Sequence, residues 1–313
     1  MKAILIWVLL CLIWGSTWIF IKIGLADLPP ITFSAARFLA AAFILYVLLR
    51  VQRISIPTGT REWRLFALTG ILQFSINYSM VFWSEVYITS GLAAVLQSTI
   101  TIFGLVLAWI FLPSERITKL KIAAVLVGVI GVAIIFIDQL KVQSLMAFLG
   151  SVAIVIGAYA ASQASILVKA RGGAINPGAL LLCQMICGLP AIIIYSLAAE
   201  GNPFTLNWTW RAVGCVAYLS IIGTIAAFWL YYWLLGKIES TKAMMISLVT
   251  PLIAVVAGAI VLGETLPPQT GVGGLLIIAS IGLIAFRRKR IEPRSCGNAE
   301  KILSAQIGKG PGD

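Results

Sequence analysis

Ten apolar stretches, most of them long enough to cross a bilayer as a helix, constrain this chain more than any other feature of its sequence. A helix needs about 20 apolar residues to span the hydrocarbon core. Because the segments between the stretches are short, consecutive helices are expected to run antiparallel. The sequence therefore predicts an all-α integral membrane protein with ten transmembrane helices. The stretches cover residues 4–24, 31–49, 65–83, 92–112, 122–137, 146–168, 178–199, 213–235, 243–262 and 271–286.

The composition indicates which solvent surrounds this chain. Charged residues make up 11% of the 313 positions and hydrophobic residues 60%, whereas a soluble domain carries about 25% charged residues. So few charges cannot cover a water-exposed surface, and lipid must therefore be the main solvent. The formal net charge of +12 does not indicate a nucleic-acid partner, because it has to be read loop by loop against the membrane.

The distribution of Lys and Arg predicts the orientation of the helices. If the N-terminus is cytoplasmic, nineteen Lys and Arg residues fall in segments on the cytoplasmic side. Only Lys22, Lys141 and Arg211 fall on the opposite side, and Arg37 alone lies within a helix. Because cytoplasmic loops carry an excess of Lys and Arg, the sequence predicts that both termini are cytoplasmic. A missed helix would scramble this alternation.

The two halves of the chain resemble each other. A shift of 149 residues places Glu115 on Glu264 and Ser98 on Ser247. Because each half has five helices, an odd number, the second copy must be inverted relative to the first. Inverted repeats are typical of secondary transporters, whose halves rock about a site near the bilayer midplane; an old duplication without transport is the alternative. The predicted units are a first repeat at 1–140, a second repeat at 141–286 and a basic, disordered cytoplasmic tail at 287–313.

Short motifs recur in order along almost all of residues 4–286. They are Trp14-Gly15-Ser16-Thr17, Pro29-Pro30 and Ala36-Arg37-Phe38 in the first half, and Gln184, Pro251 and Gly263-Glu264 in the second. In order and spacing they resemble the drug/metabolite transporter superfamily, specifically EamA permeases with two EamA domains. Two positions depart from that pattern: Ile102 stands where the ninth helix has Pro251, and Pro113-Ser114-Glu115 replaces Gly-Glu.

This resemblance implies what the protein does and where. It implies a ten-helix fold in a bacterial cytoplasmic membrane and the export or exchange of small metabolites, such as amino acids, related solutes or toxic organic compounds. The expected partners are a small-molecule substrate and the lipid bilayer, without a cofactor. Substrate, direction, coupling and oligomeric state stay open, a monomer included.

Polar side chains at membrane depth predict a binding site. Such side chains are costly there and tend to face the bundle interior or a cavity. Gln73 with Asn77, and Tyr159 with Gln163, lie one helical turn apart and share a face. We expect them to converge on a central cavity with aromatic neighbours; interhelical hydrogen bonds or aromatic belts are the alternatives. The predicted substrate-binding residues are Trp14, Gln73, Asn77, Tyr78, Gln97, Thr101, Tyr159, Gln163, Gln184, Trp229 and Ser247.

Other membrane-depth residues allow both a functional and a structural interpretation. Pro251 cannot donate to the Ser247 carbonyl, so it is predicted to hinge a gate, with a static kink as the alternative. Arg37 either attracts an anionic substrate group or is a snorkelling or structurally paired arginine. Tyr231 and Tyr232, near a helix end, favour an aromatic belt. A small-residue stripe in the sixth helix indicates close helix packing: Ala153, Gly157, Ala161 and Ser165.

Missing residue types narrow the chemistry. The chain has no histidine, and its acidic residues lie in loops, tails or near helix ends. A proton relay through a buried carboxylate is therefore not indicated, and Glu85, Glu115 and Glu264 are expected to cap or pair locally. The five cysteines are expected to pack as small hydrophobes, so neither a metal site nor an enzyme is predicted. A flippase-type lipid-handling protein remains the alternative to a solute carrier.

Overall fold

Helices make up every regular element of the described chain. The computed structural model describes residues 2–88, 90–113, 115, 117–139, 144–262 and 268–285, and no strand occurs in these ranges. The predicted all-α class is therefore confirmed for this part of the protein. Its helical segments are α1 Lys2–Leu25, α2 Pro30–Val51, α3 Thr60–Ser84, α4 Ser90–Gln97 with Ile100–Phe111, α5 Lys119–Ile135, α6 Leu145–Arg171, α7 Pro177–Ala199, α8 Trp210–Leu235, α9 Ser240–Met244 with Ile246–Leu262, and α10 Gln269–Ala285. Two short 3-10 turns lie at Ile137–Gln139 and Pro203–Thr205.

Seven of the described helices are long and apolar enough to cross a membrane: α1, α2, α3, α6, α7, α8 and the part of α4 from Leu92 to Phe111. The apolar helices Ser240–Val256 and Gln269–Leu283 are shorter. A helix satisfies its backbone N–H and C=O groups with its own hydrogen bonds, as a segment in the hydrocarbon region must. The protein is therefore a multi-pass membrane protein.

Local sequence signals explain where several helices begin. Proline occupies the first position of α2 and α7, where its missing N–H costs nothing. Before α7, the Asn176 side chain accepts hydrogen bonds from the next backbone N–H groups, at 2.9 Å for Gly178. Thr209 caps α8 in the same way through Ala212, at 3.1 Å. Side-chain oxygens thus satisfy orphan donors of the first turn.

Helix pairs pack so that elements far apart in the chain meet. The pairs include α5 with α10, α1 with α9, α2 with α7, and α4 with α6. Between α3 and α7, a Cβ on Gly188 would lie 2.6 Å from the Gly70 carbonyl oxygen, and the Ser75 hydroxyl donates to the Gly188 carbonyl at 2.7 Å. Glycine therefore lets these two backbones come together.

The interior between α2, α3, α7 and α8 is mostly aromatic and aliphatic. Buried phenylalanines fill it, and their rings meet edge to face, as Phe38 and Phe74 do at 5.1 Å between centroids. Such edge contacts suit the ring quadrupole. The buried phenylalanines of α2 and α3 are Phe33, Phe38, Phe66, Phe74 and Phe82.

Several irregularities were not predicted from the sequence. The middle of α3 is a π-helix over Ile71–Asn77, and the middle of α8 is one over Ile221–Ala226. In addition, α4 is interrupted between Gln97 and Ile100, and α9 between Met244 and Ile246. A π turn holds an extra residue and often marks a functional site. Pro251 lies within the helix Ile246–Leu262, as expected, and its kink stays a prediction.

Candidate functional site

A cavity of about 160 Å³ lies among α1, α2, α3, α4, α6, α8 and α9. A cavity of roughly 150 Å³ can hold a benzene ring, so the space suits one small molecule. Both halves of the chain contribute to its wall. The predicted site residues that line it are Trp14, Gln73, Asn77, Tyr78, Gln97 and Ser247.

Amide side chains form one wall of the cavity. Gln73 and Asn77 sit in the π segment of α3 and are buried. The Gln97 amide nitrogen donates to the Asn77 Oδ1 atom at 3.3 Å across the α3–α4 contact. The Gln97 Oε1 atom is buried and has no hydrogen-bond partner in the described chain. An acceptor of this kind is costly unless something bonds to it.

Hydroxyl groups link α4 to α9 beside the cavity. Thr101 is fully buried and does not line the cavity, but its hydroxyl shares a 3.0 Å hydrogen bond with the Ser247 hydroxyl, which does. Pro251 leaves the Ser247 carbonyl without its helical donor. The Thr250 hydroxyl compensates by donating to that carbonyl at 3.4 Å. The structure thus places Pro251 one turn from the wall, and its gating role stays a prediction.

Aromatic rings form another part of the wall. The Trp14 ring lies 5.5 Å from Phe228 and 5.2 Å from Tyr231, between centroids. The Trp14 Nε1 donor is buried without a partner in the described residues. The aromatic-belt interpretation of Tyr231 and Tyr232 is wrong, because both are buried inside the bundle. Tyr231 lines the cavity and donates its hydroxyl to the Ser165 Oγ atom at 3.2 Å.

The structure does not bring four other predicted binding residues to the cavity. Tyr159 is 42% exposed and packs edge to face on Phe103 at 5.5 Å, so the expectation that it faces the centre is wrong. Gln163 is half-buried one turn further along α6. Gln184 is buried between α7 and α3, where its amide donates to the Thr69 hydroxyl at 2.7 Å. Trp229 packs against the start of α7 instead.

Sequence reasoning also missed part of the wall. Thr17 lines the cavity one turn after Trp14, and their spacing within one motif was the available signal. Ala161 and Ser165 line it as well, although their four-residue spacing indicated only helix packing. A small-residue stripe can serve both purposes, because the same small side chains that let helices approach also leave room for a ligand.

Arg37 lines the same cavity and is only 2% exposed. Its Nε atom donates to the Thr224 hydroxyl at 2.9 Å, and its Nη2 atom donates to the Gly223 carbonyl at 3.2 Å. Both partners belong to the π segment of α8. The snorkelling interpretation is therefore wrong, because the guanidinium points into the protein and is held there.

Carboxylates beyond the cavity bind the first turns of distant helices. Glu200, after α7, accepts from the Ile31 and Thr32 backbone N–H groups at 2.8 and 2.6 Å. Glu115, after α4, accepts from the Ser240 N–H at 2.9 Å and pairs with Lys169 Nζ at 3.2 Å. Glu115 thus caps and pairs, but the expectation that it does so locally and near the surface is wrong, because Ser240 and Lys169 are distant in the sequence and Glu115 is buried. The Glu85 Oε1 atom is buried without a partner in the described chain, and Glu264 lies outside the described residues.

Charged groups outside the membrane-spanning helices have shifted pKa values. The Arg211 guanidinium, followed by the Thr209 hydroxyl, lowers the pKa of Asp27 to about 2. Burial opposes ionisation of Glu239, but Lys121 and Lys242 hold its pKa below the ordinary value. Burial alone raises the pKa of Glu85, directly after α3, to about 7. Asp27 and Glu239 are therefore held in the charged form by their neighbours, whereas burial favours the neutral form of Glu85.

Comparison with known proteins supplies a family. A model of the EamA-like transporter family matches residues 1–137 and 148–286. The chain is 29% identical over 262 residues to an uncharacterised inner membrane transporter, YedA, of Escherichia coli strain K12, covering 82% of each chain. It is 26% identical over 296 residues to a probable amino-acid metabolite efflux pump of Salmonella typhimurium, covering 90% of this chain and 95% of the relative.

A solved crystal structure of a protein with 14% sequence identity has the same fold. Its TM-score is 0.79, and the alignment covers 93% of this chain and 99% of the other. At that identity the likeness speaks for the fold alone.

Proposed function

Because the chain belongs to the EamA-like transporter family, we propose that it is a secondary transporter of small polar metabolites in the cytoplasmic membrane. The observation that carries this proposal is the cavity, whose wall joins both family-matched segments at membrane depth. Buried polar atoms without partners, Gln97 Oε1 and Trp14 Nε1, face that region. A solute with a hydrogen-bond donor and acceptor would satisfy them, which gives the protein a reason to bind one.

The proposed architecture is two inverted five-helix repeats, divided near residue 140, with ten membrane helices and both termini cytoplasmic. Helix packing supports this division. The contact of α3 with α7 has its counterpart in that of α8 with α2, and the contact of α4 with α6 in that of α9 with α1. The π segments of α3 and α8 occupy equivalent places as well. Transporters of this kind expose a central site to one side at a time.

The proposed binding site comprises the amides of Gln73, Asn77 and Gln97 together with the rings of Trp14 and Tyr78. Ser247 joins the two halves at the wall, supported by Thr101. The Salmonella relative named as an amino-acid metabolite efflux pump makes amino acids the first substrate class to test, and efflux the first direction.

Counterflow in proteoliposomes tests the proposal. Vesicles loaded with pooled amino acids are followed for uptake of each labelled amino acid. We expect saturable uptake by the wild type. The Asn77→Ala/Gln97→Ala variant removes two hydrogen-bonding side chains, so the half-saturation concentration should rise by about 10-fold.

Gln163→Ala is the matched control, since it removes the same amide from α6 at a place away from the cavity. Equal losses in both variants would contradict the proposed site. Linear, non-saturable uptake would instead favour a channel. Scrambling of labelled lipids without solute counterflow would favour the flippase alternative.

A further inference from the structure

Arg37 is a buried cation at the wall of the cavity, and no carboxylate of the described residues pairs with it. It lies two turns into α2 and is 2% exposed. In the described chain no Asp or Glu oxygen lies within ion-pair distance of it, and no acidic residue lines the cavity. A charge buried without a partner is strongly unfavourable. A protein retains such a group where a ligand supplies the counter-charge.

The groups that hold Arg37 are all neutral. They are the Thr224 hydroxyl, the Gly223 carbonyl, the Tyr78 hydroxyl, which also hydrogen-bonds to the guanidinium, and the rings of Phe38 and Tyr78, whose centroids lie 5.0 and 5.4 Å from the Arg37 Cζ atom. Hydrogen bonds and rings of this kind orient a guanidinium, but they cannot neutralise it. A guanidinium has five N–H donors, and the two hydrogen bonds to α8 together with the one to Tyr78 use only part of that capacity.

The position of Arg37 is fixed from both sides of the α2–α8 contact. The Ser220 hydroxyl donates to the Arg37 backbone carbonyl at 2.8 Å. The Thr224 hydroxyl donates to the Leu219 carbonyl at 2.8 Å, which leaves its oxygen to accept from Arg37. The π segment of α8 therefore builds a seat for the guanidinium before any ligand arrives. Preorganisation of this kind is what a binding group needs.

From this geometry we infer that Arg37 binds a carboxylate of the transported solute. This inference rests on the proposed function and narrows it. The substrate is a small organic anion or a zwitterion with a single carboxylate, and its apolar part contacts Trp14, Tyr78 and Phe228. In a zwitterion, the ammonium group has an acceptor in the unpaired Gln97 Oε1 atom. Solutes with a net positive charge are disfavoured, because among the described residues of the wall Arg37 alone carries a formal charge, and it is positive.

A pair of nearly isosteric probes tests the inference without requiring transport. Purified protein in phosphatidylcholine nanodiscs is titrated with L-phenylalanine and with L-phenylalaninamide, which lacks the carboxylate, and then with phenylacetate and phenylacetamide. Thermal stabilisation gives the binding constant. We expect the carboxylate member of each pair to bind the wild type at least about 30-fold more tightly, because the amide leaves the Arg37 charge unpaired.

Variants identify the residue responsible. Arg37→Gln should lose the preference for the carboxylate, and Arg37→Lys should keep part of it because the charge remains. Arg211→Gln is the control, since it removes an exposed arginine outside the cavity. If Arg37→Gln does not fold, the wild-type probe pairs still decide: equal binding of carboxylate and amide overturns the inference.

The same experiment separates this inference from the proposed function. If amino acids show counterflow but the carboxylate and amide probes bind equally well, the role of Arg37 is overturned and the proposed transport function stands. Carboxylate-selective binding that Arg37→Gln abolishes, without counterflow of any solute, would support the anion site and contradict transport. An anionic lipid head group is the other source of negative charge. If phosphatidylglycerol nanodiscs abolish carboxylate binding by competition, lipid occupies Arg37 and the inference is overturned.

Discussion

The first turns of α2 and α9 are both capped by a glutamate from a distant helix, yet the two caps differ in their surroundings. Glu200 reaches α2 from the end of α7, and Glu115 reaches α9 from the end of α4. Glu200 accepts from the Ile31 and Thr32 N–H groups, and both oxygens of Glu115 accept from the Ser240 N–H group. Each carboxylate also accepts from a hydroxyl, that of Thr32 at 2.7 Å and that of Ser240 at 2.6 Å. The chemistry at the two helix starts is therefore the same.

The difference is the cation beside Glu115. Glu115 is 5% exposed, and Lys169 of α6 pairs with it while also donating to the carbonyls of Leu235, at 2.8 Å, and Ile238 at the end of α8. Glu200 is half-buried and forms no ion pair within the described residues. One cap is thus a charge-balanced joint of four helices, and the other is a hydrogen-bonded contact of two. A joint with several mutual partners should be harder to open than a simple cap.

The largest expected effect comes from breaking the four-helix joint. Glu115→Ala removes the cap of α9 and leaves the half-buried Lys169 without its anion, so we expect a loss of about 3 kcal/mol of stability, the lower end of the range for a broken buried ion pair. Thermal or denaturant unfolding in detergent measures this loss of stability, and the solvent accessibility of α9 serves as a second readout. Adding Lys169→Met to Glu115→Ala should recover part of the loss, because no charge is then unpaired. A loss no larger than that of Glu200→Ala would contradict the comparison.

The simple cap should matter less. Glu200→Ala removes only hydrogen bonds and a favourable charge at the start of α2, which is typically worth about 1 kcal/mol. Glu200→Gln should lose less still, because its amide oxygen can accept from one of the same N–H groups. Unfolding under the conditions used for Glu115→Ala gives the comparison. If Glu200→Gln were as damaging as Glu115→Ala, the negative charge rather than the network would be the decisive property.

The smallest effect is expected at an exposed pair that serves as a baseline. The Arg211 Nε atom donates to the Asp27 Oδ2 atom at 2.9 Å, and the Arg211 side chain is 58% exposed. The pair should therefore add little stability. The pKa of Asp27 is lowered to about 2. Its contribution is therefore fully present above the unfolded-state pKa of about 4 and is lost as pH falls toward 2.

The measurement is the difference in melting temperature between wild type and Asp27→Asn, taken from pH 7 to pH 3. It should be small at pH 7 and shrink below about pH 4. Added salt should reduce it at neutral pH, since exposed charges are screened. A difference that grows on acidification would mean that the Asp27 carboxylate is not stabilised by its contacts.

The sequence revealed the helical fold because length and hydrophobicity act locally. A run of about 20 apolar residues needs no tertiary information to be recognised. The caps could not be read in the same way, since Glu115 and Ser240 are 125 positions apart and Glu200 and Thr32 are 168. The sequence around each glutamate does not identify the distant residue that it contacts.

The cavity was predictable in part for a related reason. Gln73, Asn77 and Gln97 were found because a buried amide is unusual anywhere in a membrane helix. Tyr159 was misplaced because the spacing of residues on α6 defines a face but not the direction that it points. Ser165 was overlooked because small residues are common at helix contacts. Because of the π segment, α3 deviates from a regular helical wheel at Gln73 and Asn77, which line the cavity.

The π segments of α3 and α8 also bear on how this protein could diversify over evolution. Relative to an α-helix, such a segment holds one additional residue. Deleting one residue from 71–77 would restore a regular α-helix, in which Tyr78 and Phe82 keep their places while Gln73 and Asn77 change position relative to each other. A single codon gained or lost can thus change the amide-bearing part of the wall without disturbing the rest of α3. In related genes, gaps of one residue inside these two helices would then record changes of specificity rather than errors of alignment.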